Sequence, residues 1–123
     1  MGSHPVNLAL RFFLEMGALV AMGGWGWHRA MGPWRYLLAL AIPVVAMSLW
    51  GVFAVPQDPS RSGRAPVPVP GTARLFLEVG FFGFATWALV SSGHRVPALV
   101  FGTLVLVHYA FSSDRIVWLL RQP

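Results

Sequence analysis

The sequence predicts an all-α integral membrane protein, a four-helix bundle made of two tandem two-helix repeats. Three observations carry that prediction. The 123 residues are 56% hydrophobic and only 11% charged, against about 25% charged in an ordinary soluble domain. Four apolar runs of spanning length are separated by Gly, Pro and polar breaks. One short charged motif also occurs twice along the chain. The composition excludes several function classes as well. Without cysteine there is no disulfide, thiolate metal site or cysteine nucleophile. The net charge of +5 comes from arginines scattered singly, with no lysine, so no nucleic-acid partner is expected.

The chain, 1–123, reads as a single membrane domain. The first span, 7–28, is apolar except for Arg11 and Glu15, and its length of about 31 Å at roughly 1.5 Å per residue suffices for one crossing. A secretory signal would place positive charge ahead of the apolar run and no carboxylate within it, so Glu15 argues that this helix is retained. The opening Met1-Gly2-Ser3-His4 is set aside from functional reasoning. A Gly32-Pro33 break starts the second span, 33–55, in which Pro43 predicts a kink. Residues 56–71, PQDPSRSGRAPVPVPG, have no period and end in alternating Pro and Val. They read as an extended loop carrying Arg61 and Arg64.

The third span, 72–92, is interrupted by Arg74 and Glu78. The fourth, 97–113, opens with Pro97 as a first helical residue and ends near Asp114. The tail with Trp118 and Arg121 reads as an extension of that helix into the headgroup zone. Arg61, Arg64, Arg115 and Arg121 on the terminal side, against Arg29, Arg35 and Arg95 opposite, place both termini in the cytoplasm. Trp25, Trp27, Trp34, Trp50 and Trp118 fall at span ends as an interfacial belt, and Phe81, Phe82, Phe84 and Trp87 read as packing residues.

The repeat is the most informative feature. Arg11, Phe13, Leu14, Glu15 and Gly17 recur as Arg74, Phe76, Leu77, Glu78 and Gly80. His28-Arg29 and His94-Arg95 occupy the corresponding turns. Each unit crosses twice, so the halves enter from the same side, related by a pseudo-two-fold axis along the membrane normal. Arg and Glu four apart share a helix face, so Arg11 can meet Glu15 and Arg74 can meet Glu78, within a helix or across. Ionised groups cost at least about 2.5 to 3.5 kcal/mol each near the bilayer centre, so the four should face one another, with Gly17 and Gly80 permitting the approach. Counting from the span ends places Glu15, Glu78, Ser48 and His108 about 9 to 12 Å below the terminal-side boundary. The expected site is therefore a polar pocket of Arg11, Glu15, Ser48, Arg74, Glu78 and His108 in one leaflet. Tyr109 and Ser112 are further contributors, and the pocket opens toward the terminal side.

The runs NLALRFFLEMGALVAMGGWGW, PVVAMSLWGVFAVP and RLFLEVGFFGFATWAL carry a family resemblance. The chain resembles, over nearly its whole length, the YrdB-like family of small bacterial four-helix membrane proteins. That resemblance implies the fold and an address in the cell inner (cytoplasmic) membrane, and it carries over no catalytic residues. Glu15 is also similar in position to the essential first-helix Glu of the small multidrug resistance transporters. The adjacent Arg11 departs from that pattern and disfavours a cationic substrate.

Two functional readings follow. In the first, the protein is a carrier or binding protein, with Arg11 and Arg74 receiving a small anionic, lipid-like or quinone-like ligand while Glu15, Glu78 and His108 exchange protons. In the second, it is a non-catalytic accessory or scaffold protein whose charges are permanently paired and whose apolar faces dock a membrane-protein partner or a second copy of the chain. A neutral, hydrogen-bonded His108 is the plainer reading than a relay or metal ligand. The Glu-x-x-His spacing of bundle metal sites is absent, so neither metal nor cofactor is expected. No Ser, Thr or Lys has a recognisable base partner, so the chain is not expected to be an enzyme.

Overall fold

The computed structural model describes residues 4–56, 58 and 65–122. Arg61 and Arg64 of the loop lie outside the described residues, as do Met1, Gly2 and Ser3. Helix α1, Pro5–Arg29, starts at a proline in its first turn, with the His4 ring accepting the Val6 N–H, and ends with His28 and Arg29 beside its last carbonyls. Gly32, at φ 64°, reverses the chain, and Pro33 opens α2, Pro33–Val52. The two helices pack almost backbone to backbone: a Cβ on Gly26 would stand 2.7 Å from the Leu38 carbonyl oxygen.

Two short strands follow, β1 (Phe53–Ala54) and β2 (Val67–Pro68), paired in parallel with Phe53 opposite Val67. Helix α3 runs Gly71–Ser91, and a second left-handed glycine, Gly93 at φ 83°, leads into α4, Arg95–Phe111. Pro97 sits at the third residue of α4, where its missing N–H is still harmless. Helix α5, Ser113–Leu120, completes an all-α bundle with five helices among the described residues. The lengths and apolarity of α1, α2 and α3 are enough to cross a membrane, and α4 with α5 makes a fourth span if the bent pair is taken together.

That bend is a departure from the expected four-helix architecture. The fourth span does not run on into the tail; the chain turns by 69° between α4 and α5. A straight continuation would carry Arg115 and Leu119 away from the bundle. Folded back against α3, both are buried. The contact is intimate. The Gly71 N–H, an orphan donor of the first turn of α3, donates to the Gln122 carbonyl at 3.1 Å. A Cβ on Gly71 would run into the Leu119 carbonyl oxygen.

The core lies between α1 and α3, with Leu14, Ala18, Ala21 and Met22 facing Phe81, Phe82 and Ala85, and Phe101 of α4 closing it. Alanines at Ala18 and Ala85 bring the central pair together. Gly17 and Gly80 do not have the role expected of them. A Cβ on Gly17 would meet the Phe101 ring of α4 at 3.6 Å, and one on exposed Gly80 would meet no neighbouring element within 4 Å among the described residues. Helix α2 contributes no fully buried residue and presents Leu37, Leu40 and Val44 outward, as a lipid-facing helix does.

Gly71→Ala is expected to destabilise the protein by about 1 to 3 kcal/mol through the clash with α5, while Gly80→Ala is neutral or slightly stabilising. Thermal unfolding of both variants in an uncharged detergent checks this, and equal melting temperatures would refute the α3–α5 contact.

Candidate functional site

At the terminal pole of the bundle, three helices deliver arginines and a fourth a tyrosine hydroxyl to a single carboxylate. Glu78, in the second turn of α3, is completely buried. Arg74, one turn earlier on the same face, donates from Nε to Oε2 at 2.9 Å. Arg11 reaches across from α1 to both oxygens, at 3.3 Å to Oε1 and 3.1 Å to Oε2. Arg115 of α5 donates from Nη2 to Oε2 at 2.5 Å, and the Tyr109 hydroxyl of α4 donates to Oε1 at 2.7 Å. Three guanidiniums and a phenol thus fill the acceptor positions of one ion, in short charge-assisted bonds.

Each arginine then has a second task. Arg11 also pairs with Glu15 at 3.3 Å, one turn along α1. Arg74 turns Nη1 to the carbonyls of Trp50 and, at 2.7 Å, of Phe53, which end α2 without intrahelical partners. Arg115 grips Asp58 with both nitrogens, Nη1 to Oδ1 at 2.6 Å and Nη2 to Oδ2 at 2.9 Å. Trp50 stacks with both repeat arginines, its ring 5.0 Å from the Arg11 guanidinium and 4.4 Å from that of Arg74. Arg11, Arg74 and Arg115 against Glu15, Asp58 and Glu78 make three charges of each sign, so the pole is neutral as a unit.

A second polar chain flanks the first. The Asn7 amide donates to Ser112 Oγ at 2.7 Å and its oxygen meets His108 Nδ1 at 3.0 Å. That orientation makes Nδ1 the donor. His108 Nε2 and Arg115 Nε are both buried and have no hydrogen-bond partner among the described residues.

Of the residues picked out in the sequence, Arg11, Glu15, Arg74 and Glu78 come together in one network, with His108 beside it and Tyr109 and Ser112 attached. Ser48 does not join them. It is exposed and donates to the Val44 carbonyl at 2.8 Å within its own helix, because its side chain lies on the outer face of α2. Nor is Trp50 only a belt residue, since it sits over the arginines. The expected opening toward the terminal side is occupied by α5 and by Asp58, which with Arg115 covers Glu78. Asp58, Arg115 and Asn7 were not legible as members. The pairing of Arg11 and Arg74 with Glu15 and Glu78 already balances to zero, so nothing in the sequence asked for another ion pair. The one available hint was the four-residue spacing of Arg115 and Leu119, which gives the tail its own inward face. Among the described residues, no group of three or more His, Cys, Asp or Glu side chains is placed to hold a metal.

Comparison with known proteins places this geometry in a lineage. Residues 9–106 match the family described as a protein of unknown function, DUF2568. That stretch includes Arg11, Glu15, Asp58, Arg74 and Glu78 and ends before His108 and Arg115. The chain is 44% identical over 119 residues to a protein of Bacillus subtilis (strain 168) described as uncharacterized protein YrdB, covering 97% of each. No solved structure is similar to it.

Removing the Glu78 charge leaves three buried guanidiniums around a neutral amide, so Glu78→Gln is expected to cost about 3 to 5 kcal/mol. Glu15, whose side chain is 21% exposed, is worth about 1 kcal/mol or less on Glu15→Gln. Unfolding of the two variants in parallel separates a hub from a symmetric pair, and equal losses would disprove the hub.

Proposed function

The chain belongs to the DUF2568 family, and on that footing we propose that it is a small bacterial membrane carrier or binding protein for an amphipathic anion. In this reading the bundle is two tandem two-helix units spanning the inner membrane four times, with both termini cytoplasmic. The ligand's charged head enters the arginine pole, and its apolar part lies against the outer helices. One observation carries the proposal. Three arginines are concentrated at one pole of a chain with few charges, and one of their three counter-ions, Glu15, is less firmly held than Glu78: it is partly exposed and has a single arginine in ion-pair contact. Cationic ligands are disfavoured by the same arginines, and no catalytic step is assigned to the site.

The scaffold reading has its own support in Glu78, whose oxygens are already taken by Arg11, Arg74, Arg115 and Tyr109. A permanently satisfied ion is what structural glue requires. The two readings part on one experiment. Titration of the purified protein in an uncharged detergent with decanesulfonate, followed by isothermal calorimetry, should show saturable binding that Arg11→Gln weakens at least tenfold. Decyltrimethylammonium should not compete. Absence of saturable binding, or equal binding of both amphiphiles, would rule out the carrier reading and leave the scaffold.

A further inference from the structure

We propose that the hairpin pole of the bundle, at the opposite end from the Glu78 network, is a docking surface for the phosphate of an anionic phospholipid, received by Arg29, Arg35 and Arg95. This surface is independent of the anion-binding reading of the terminal pole. Three observations lead to it.

First, charge is segregated along the bundle. The carboxylate side chains of the chain are Glu15, Asp58, Glu78 and Asp114. Asp58 and Glu78 are paired with Arg115 at the terminal pole, and Asp114 opens α5 there. From Glu15 to Arg29 along α1, and from Glu78 to Ser91 along α3, the rise is about 20 Å at roughly 1.5 Å per residue. That is more than twice the reach of exposed charges in physiological salt, about 8 Å. Arg29 and Arg95 are exposed and Arg35 is half-buried, and none of the three has an ion-pair partner among the described residues. The helix ends do not supply the missing negative charge, since α1 and α3 finish at this pole where α2 and α4 begin.

Second, two of the guanidiniums are held in place with donors to spare. Arg29 lies over the Trp25 ring at 5.1 Å and donates from Nη2 to Ser91 Oγ, which also accepts the Trp25 indole N–H at 3.3 Å. These bonds tie the end of α1 to the end of α3 and set the two hairpin turns side by side. Arg29 spends one N–H on Ser91 and keeps the rest, and Ser91, accepting twice, has its own O–H left to donate. Arg35 lies over the Trp27 ring at 4.4 Å, with Tyr36 edge-on to that ring at 4.9 Å. A guanidinium stacked through its face keeps terminal N–H groups for phosphate oxygens.

Third, the arginines are bordered by exposed apolar side chains, Met31 and Trp34 in the first hairpin and Val96 and Leu99 in the second. A lipid whose head rests on the arginines lays its acyl chains against these. The charge pattern also selects among lipids. A zwitterionic head brings an ammonium beside its phosphate, and three arginines without a carboxylate repel it. A phosphatidylglycerol head brings negative charge alone.

The test uses the intact protein in an uncharged detergent, titrated with phosphatidylglycerol or with phosphatidylcholine of the same chains, the bound lipid being counted by native mass spectrometry. Phosphatidylglycerol should bind at least tenfold more tightly than phosphatidylcholine. Combined Arg29→Gln, Arg35→Gln and Arg95→Gln should remove that preference, while Arg11→Gln keeps it. Arg95→Gln alone changes an exposed residue with no bonded side-chain partner among the described residues, so the fold is retained, and it should weaken phosphatidylglycerol at least threefold. Equal binding of the two lipids, or a preference undiminished in both the single and the combined variant, would overturn the proposal. So would a preference lost in Arg11→Gln instead, which would put the lipid head at the terminal pole.

Discussion

The structure is organised around the neutralisation of one carboxylate. Moving an isolated carboxylate from water into a low-dielectric interior costs on the order of 20 kcal/mol before relaxation, and Glu78 is completely buried. The bundle meets that cost by sending arginines to it from α1, α3 and α5 and a phenol from α4. Much of the architecture at the terminal pole follows. The bend after α4 exists so that α5 can return Arg115 to the site. Gly71 has no side chain because the α5 backbone occupies that space. Helix α2 stops where Arg74 can take its terminal carbonyls.

How much of this the sequence discloses depends on whether the signal is local. The charged motif repeats at helical spacing within apolar runs, so the mutual facing of Arg11, Glu15, Arg74 and Glu78 is readable from the sequence, and the structure brings them together with Tyr109, His108 lying beside them. What escapes is set by rotation and by long-range contacts. Ser48 lies on the outer face of α2, because counting residues fixes the rise along an axis and not the direction of the side chain. Trp50, two residues later, faces inward for the same reason. Asp58 sits in a segment without period, so no pattern marks it, and Arg115 lies beyond a bend that the apolar run continues straight through.

The two copies of the motif have different fates. Glu78 is the hub and Glu15 a peripheral ion, although their sequence surroundings are alike. The difference comes from what packs on each helix. Helix α3 is central, touched by α1, α2, α4 and α5, and Arg115 of α5 bonds Glu78, whereas Glu15 pairs with Arg11 of its own helix. Similar local sequence therefore supplies two carboxylates of distinct surroundings, one completely buried among three arginines and one partly exposed beside a single arginine.

The return of α5 also bears on how the protein is made. Arg115 emerges from the ribosome after every other member of the network. A nascent chain that has completed α4 holds Arg11 and Arg74 against Glu15, Asp58 and Glu78, one negative charge in excess. Only when α5 appears and folds back does Arg115 bring the described pole to three charges of each sign.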